Sequence, residues 1–268
     1  MNRVAPLLGT QLASLSRFDH PPGEAHRDPE EERAGTFSLS FVEAGTFELA
    51  IGRRRYSLAP GDVFVTWPGL AFRCRHEAEL PSDVCLSVDV SEALARDVLA
   101  TLGRAPAASP ALRATNRLGY LRLRLQDAPA AGALAAETLA AEALAEVLTP
   151  RAREARRLFR PGQLAWYAAR VRAAREKLEA ESAQPHTLRS LAGDAGMSPF
   201  HFARVFRELS GTPPHAHLRR VRLAHAARLL REGASVTDAC FDSGFSNLSH
   251  FSRSFRRAYG LPPSRYAR

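Results

Sequence analysis

The chain has almost no lysine: Lys177 is the only one among 268 residues, and the other 36 basic side chains are arginine. It has three cysteines, two tryptophans and two methionines, and no apolar run approaching the roughly 18 residues that a membrane span needs. Cys74, Cys85 and Cys240 are odd in number and sparse, which excludes a disulfide scaffold and suits a reducing compartment. The first twenty residues carry only isolated Arg3 and Arg17, without the basic start and apolar stretch of a secretory signal. A cytoplasmic location with no membrane partner is therefore expected. With 45% hydrophobic and 24% charged residues, the balance is that of a soluble protein of one to two domains, and disorder and collagen-like repetition do not fit.

Acidic excess is also missing, and basic excess is confined to one part. Residues 161–268 hold 17 Lys+Arg against 8 Asp+Glu, which accounts for the whole net charge of +9, whereas residues 1–160 hold 20 of each. A localised positive field attracts polyanions, so the C-terminal part is a candidate for nucleic acid and the neutral part has a different task. The use of arginine over lysine follows genome composition more than function, although guanidinium groups suit phosphates and guanine edges.

Residues 36–88 have the pattern of short strands between turns. Phe37 to Phe41 and Phe47 to Ile51 alternate apolar with polar, Ala59-Pro60-Gly61-Asp62 is a turn before Val63 to Val65, and Trp67-Pro68-Gly69 is another. Arg73 to His76 and Val84 to Val88 are expected to form a hairpin closed by Pro81-Ser82-Asp83. Closely spaced short strands suggest a small barrel or jelly roll. From Ser91 the chain becomes rich in Ala and Leu. Ser91 caps a helix to about Leu102, and Gly132 to Leu148 forms another, with Leu134, Leu144 and Leu148 among its apolar positions. These helices pack either on the barrel or across a dimer, and a homodimer is expected. Residues 149–163, an arginine-rich run between prolines, read as a linker.

The informative signal is a duplication. His201-Phe202-Ala203-Arg204-Val205-Phe206-Arg207 recurs as His250-Phe251-Ser252-Arg253-Ser254-Phe255-Arg256, and Gly211-Thr212-Pro213-Pro214 as Gly260-Leu261-Pro262-Pro263, both 49 residues on; Gly196-Met197-Ser198 recurs as Gly244-Phe245-Ser246, 48 residues on. In each copy a short helix (188–195; 236–243) meets a glycine able to end it in the left-handed conformation, and the serine is expected to cap a second helix running to Leu209 or Tyr259. Helix, tight turn, helix is the arrangement whose second helix enters the major groove. Phe202, Val205, Phe206 and Leu209, or Phe251 and Phe255, form the inward stripe. Phe200, Ala203, Arg204 and Arg207, with Leu248, Ser249, Ser252, Arg253 and Arg256, are left for double-stranded DNA. Ser198 and Ser246, at the helix starts, suit phosphates. A helix from Pro214 to Arg231 between the copies, ~27 Å long at ~1.5 Å per residue, approaches the ~34 Å pitch of DNA, so two reading helices can occupy successive groove segments. His201 and His250 read as polar helix positions near the turn rather than metal ligands, and Cys240 as core.

Residues 166–268 resemble the DNA-binding domain of AraC/XylS-type bacterial transcription regulators, above all across Gly244 to Arg257 and Tyr259 to Tyr266. The resemblance implies seven helices with two helix-turn-helices joined by a long helix, and base reading by Phe200, Ala203 and Arg204 and by Leu248, Ser249, Ser252 and Arg253. Ala203 and Leu248 depart from the polar residues some relatives use. Gly45, Pro60-Gly61-Asp62 and Trp67-Pro68-Gly69 resemble turns of the cupin-type sensor barrel that many such regulators carry. The expected fold class is α+β: a cupin-like barrel with accessory helices over 1–150, a linker over 151–163, and an all-α DNA-binding domain over 164–268.

The chain lacks the His-x-His pair of metal-binding cupins, and Phe72 stands where a further histidine is expected, so no enzyme is expected. His20 and His26 read as solvent-facing. A small effector in the barrel would be lined by Phe41, Phe47, Phe64, Trp67 and Phe72, for each of which core packing is an equal account. Cys74 and His76 share one face of a strand, and a turn near Leu80 brings Cys85 back beside them. That trio suits zinc or copper(I), with Asp83 or water as a fourth ligand; a reversible thiol pair and plain burial are the alternatives. The expected function is a sequence-specific transcription regulator under effector, metal or redox control, with RNA polymerase a candidate further partner. A ligand-independent DNA-binding protein is the alternative, and a cupin-like enzyme fused to a DNA-binding domain is less favoured.

Overall fold

A computed structural model describes residues 3–20, 30–75, 83–103, 109–149 and 158–266. The chain divides into two compact units, Met1–Pro161 and Gly162–Arg268, and the fold class is α+β. No helix among the described residues is long and apolar enough to cross a membrane.

The first unit pairs a larger sheet with a smaller one. β1 (Arg3–Gly9), β2 (Ala13–His20), β9 (Asp83–Val90), β4 (Phe37–Ala44), β7 (Val63–Thr66) and β10 (Ala111–Leu112) lie in that order in one sheet; β3 (Glu32–Arg33), β8 (Ala71–Arg75), β5 (Phe47–Ile51) and β6 (Arg54–Leu58) form the other. Successive side chains along a strand point to opposite faces, and the larger sheet uses both. Leu39, Phe41, Val63, Val65, Leu86 and Val88 pack against the helices α1 (Glu92–Leu102), α2 (Asn116–Ala131) and α3 (Ala133–Leu148). On the other face Val42, Phe64 and Cys85 meet Phe47, Leu49 and Leu58 of the smaller sheet.

The turns follow from their chemistry. Gly61 takes φ 93°, and the buried carboxylate of Asp62 accepts hydrogen bonds from the Ala59 and Ala114 amides at 3.1 and 2.8 Å and from the Arg113 guanidinium at 2.9 Å. Ser91 caps α1 by accepting from the Leu94 amide at 3.3 Å.

Several expectations need correction. Cys74 and Cys85 do not lie on a hairpin: β8 pairs with β3 and β5, while β9 pairs with β2 and β4, so the two strands belong to different sheets. The loop residues of that expected hairpin, His76 to Ser82, fall outside the described residues, as do His26 and linker residues 151–157. Of the two placements left open for the Ala-rich helices the structure shows the first, on the larger sheet of their own chain, and α2, unforeseen, contributes Leu118, Leu121 and Leu125 to that contact. Leu134 is 78% exposed, because the buried face of α3 runs through Leu139, Ala143, Leu144 and Leu148 instead. Chain read as linker at 161–163 is already helical.

The second unit is all helix: α4 (Pro161–Ala180), α5 (Leu188–Asp194), α6 (Pro199–Ser210), α7 (Pro214–Arg231), α8 (Val236–Asp242), α9 (Leu248–Tyr259) and α10 (Pro263–Tyr266). Phe202, Val205, Phe206 and Leu209 are the buried stripe of α6. Phe251 and Phe255 of α9 pack with Leu223, Ala226 and Leu230 of α7 and with Cys240. Arg222 of α7 donates to the carbonyls of Ser182 and Gln184 at 2.7 and 2.8 Å, which ties the segment after α4 to the central helix.

Candidate nucleic-acid interface

Each helix-turn-helix is built from a glycine and a cap. Gly196 and Gly244 adopt φ 65° and 90°, a region from which the Cβ of other residues is sterically disfavoured. In the first copy the Ser198 hydroxyl accepts from the His201 amide at 3.4 Å. In the second, Ser246 is not the cap: the Asn247 side chain accepts from the His250 amide at 2.8 Å. The change of repeat offset from 48 to 49 explains this, because one residue is added after Ser246 and Asn247 is the residue 49 positions beyond Ser198.

The outward faces of α6 and α9 hold the sequence-predicted residues. Ser198, Phe200, Arg204 and Arg207 are exposed and Ala203 is half-buried; Ser246, Leu248, Ser249, Arg253 and Arg256 are exposed and Ser252 is half-buried. Phe200 is 80% exposed, an aromatic ring that the first copy presents to solvent where the second has Ser249. The two 12-residue helices flank an 18-residue α7, so each copy offers arginines on one face and aromatic packing on the other.

The neighbourhood of α6 contains residues that the sequence reading passed over. The Arg170 guanidinium of α4 lies 3.4 Å from the centre of the Trp166 ring and donates to the Ala195 carbonyl at 3.0 Å, pinning α4 to the end of α5. One helical turn earlier, the Tyr167 hydroxyl is 3.0 Å from His201 Nε2, and Arg204 approaches His201 Nδ1 at 3.3 Å. The Trp166-Tyr167 doublet in an otherwise Ala- and Arg-rich helix was the available signal. His250 has a different environment, with the Phe245 ring centred 6.1 Å away.

In the first unit, Phe47, Phe64 and Phe72 do come together between the sheets, with the rings of Phe64 and Phe72 edge to face at 5.1 Å. Phe41 does not join them: strand alternation turns it to the helix-covered face. Trp67 is half-buried in the turn after β7, where its carbonyl accepts from the Leu70 amide at 3.0 Å.

Cys74 and Cys85 both reach the inter-sheet cluster. Burial, then the Glu32 and Asp83 carboxylates, pushes the Cys74 thiol far up; burial, then Asp83 and Glu43, pushes Cys85 up to about 12. Such thiols stay protonated at neutral pH in the absence of a metal, and protonated thiols are poor nucleophiles. Among the described residues no three His, Cys, Asp or Glu side chains are grouped as a metal site. His20 is not solvent-facing as expected. It is half-buried on β2, opposite Asp83, with its Nδ1 3.2 Å from that carboxylate. Cys85 Sγ lies 3.9 Å from the same oxygen.

Comparison with known proteins matches the same end of the chain. A family model described as a helix-turn-helix domain covers residues 191–268. The HTH-type transcriptional regulator GlxA of Rhizobium meliloti is 38% identical over 89 residues, 33% of this chain and 28% of its own. The RCS-specific HTH-type transcriptional activator RclR of Escherichia coli is 40% identical over 81 residues, 30% of this chain and 28% of its own. A probable AraC family transcriptional regulator from Rhodopseudomonas palustris is similar at 38% identity over 37% of this chain and 94% of its own, with a TM-score of 0.35. The chain thus spans about three-tenths of the length of the curated relatives it matches. With two capped helix-turn-helix copies around one long helix, the C-terminal unit is a helix-turn-helix domain.

Proposed function

We propose that this chain is a cytoplasmic transcription regulator of the AraC/XylS type that binds double-stranded DNA in a sequence-specific manner. The observation that carries the reading is the duplicated, capped recognition helix. α6 and α9 present Arg204 and Arg253, 49 residues apart, at equivalent outward positions on either side of an 18-residue helix. The whole of the net charge lies in this unit, as attraction to phosphates requires.

In this reading Phe200, Ala203 and Arg204, and Leu248, Ser249, Ser252 and Arg253, face base edges. Ser198, Arg207, Ser246 and Arg256 meet the phosphates. Arginine paired with guanine supplies the strongest discrimination. The first unit responds to a small effector held between its sheets, near Phe47, Phe64 and Phe72, and the chain acts as a homodimer. It performs no catalysis: its first unit lacks the histidine set of metal-dependent cupins.

Selection from duplexes with a randomised 20-base-pair window tests this directly. The full-length chain is expected to enrich two short elements about one helical turn apart. Binding that is equal for selected and scrambled duplexes at physiological salt would sink the proposal.

A further inference from the structure

We propose that His201 is a positioning residue: held by Tyr167 of α4, it presets the direction of the Arg204 guanidinium, so that the first recognition helix presents a fixed arginine and the second an adaptable one. The inference rests on the reading of α6 as a DNA-reading helix.

The hydrogen-bond chemistry leaves one protonation pattern. A guanidinium has donors and no acceptor, so at 3.3 Å from Arg204 the His201 Nδ1 must carry a lone pair. In a neutral imidazole the proton is then on Nε2, which donates to the Tyr167 oxygen at 3.0 Å. The Tyr167 hydroxyl, able to donate or accept, takes that proton, so Tyr167 and Arg204 together hold one tautomer, and His201 is fixed between them. The tyrosine itself is fixed because its helix is anchored beside it, through Arg170 to the Ala195 carbonyl at 3.0 Å.

The second copy lacks this arrangement. His250 corresponds to His201, but the residue 49 positions after Tyr167 is Ala216. His250 is exposed and faces the Phe245 ring, and Arg253 makes no hydrogen bond or ion pair among the described residues. An arginine already ordered loses less conformational freedom on contacting a base. It also tolerates fewer alternative bases, because its fork cannot swing to a neighbour. The half-site read by α6 is therefore more stringent than the half-site read by α9.

Three substitutions separate the bonds. His201→Asn places an amide oxygen near the position of Nδ1 and keeps the acceptor for Arg204. His201→Gln places its amide near Nε2 and keeps the partner of Tyr167 instead. Tyr167→Phe removes the acceptor of the Nε2 proton and with it the tether of the ring. In random-duplex selection with the full-length protein, His201→Gln and Tyr167→Phe are expected to lower discrimination at the base pair read by Arg204 by about fivefold, the weight of one ordinary hydrogen bond. Discrimination at the pair read by Arg253 should be unchanged, and His201→Asn should retain the wild-type pattern. Unaltered discrimination in all three variants, or equal loss at both half-sites, would overturn the proposal.

The tautomer has its own readout. Two-bond nitrogen–proton spectra of histidine-labelled protein without DNA should show an unprotonated His201 Nδ1 in the wild type and a tautomer mixture in Tyr167→Phe. A protonated Nδ1 in the wild type would refute the tether even if the wild type selects DNA. Failure of the wild type to select any sequence, beside the expected spectrum, would refute the DNA reading and leave the tether standing.

Discussion

Gly244, in the turn of the second helix-turn-helix, packs directly on the backbone of Ala183, in the segment that follows α4. A Cβ built on Gly244 would lie 2.8 Å from both the Cα and the carbonyl oxygen of Ala183, and 3.0 Å from Nε of Arg222. That contact ties the second motif to the segment between α4 and α5, which Arg222 of α7 also holds through the Ser182 carbonyl. Gly196, its counterpart in the first copy, has nothing within 4 Å of the same position.

Two glycines of one repeat should therefore differ in tolerance. Gly196→Ala incurs only the left-handed backbone, roughly 1–2 kcal/mol. Gly244→Ala adds a collision with backbone that cannot swing aside, and a loss of roughly 3 kcal/mol or more is expected. Urea unfolding followed by helix signal measures both. Equal midpoints for the two variants would contradict the close approach.

The caps give a second comparison. Ser198→Ala and Asn247→Ala each remove a side-chain acceptor from a helix start and should cost about 1 kcal/mol, whereas Ser246→Ala should change stability very little. If Ser246→Ala proves the costlier of the second pair, Ser246 and not Asn247 is the cap in solution.

The same pair shows how far the sequence was legible. The 49-residue repeat placed α6, α7 and α9, because glycines, prolines and phenylalanines at fixed spacing leave few alternatives. The shift from 48 to 49 just after Ser246 already encoded the transfer of the cap to Asn247, yet two serines in register suggested otherwise. Helix α2 was hidden because Gly119, three arginines and Pro129 obscure it, although Leu118, Leu121, Leu125 and Ala128 have helical spacing. The position of Phe41 relative to Phe64 depended on knowing that the larger sheet is covered on both faces. The partnership of His20 with Asp83, and of Tyr167 with His201, joins residues 63 and 34 positions apart, and no local pattern specifies such pairs.

Arg204 and Arg253 carry the third prediction. Each changed to Ala should weaken binding to a selected duplex by about 1–3 kcal/mol and relax specificity at one base pair, in different half-sites. Arg207→Ala and Arg256→Ala, aimed at phosphates, should weaken all duplexes alike and reduce the salt dependence by about one charge each. Gel-shift affinities at several salt concentrations distinguish the two patterns, and a uniform loss for Arg204→Ala would move it to the phosphate class.

The buried thiols make stability depend on pH in a defined direction. An unfolded cysteine ionises near its ordinary value of 9.0, whereas Cys85 in the folded chain holds its proton to about 12, first through burial and then through the Asp83 carboxylate, and Cys74 is displaced in the same direction. Below pH 9 both states carry the neutral thiol and the thiols impose no slope. Above it the unfolded chain releases protons that the folded chain keeps, so stability falls by up to ~1.4 kcal/mol per pH unit for each thiol. Cys85→Ala removes one such contribution, so the stability lost by the variant relative to the wild type should shrink between pH 8.5 and 10.5. Urea midpoints at those pH values provide the measurement. Parallel lines for wild type and variant would mean that the Cys85 thiol ionises as readily folded as unfolded.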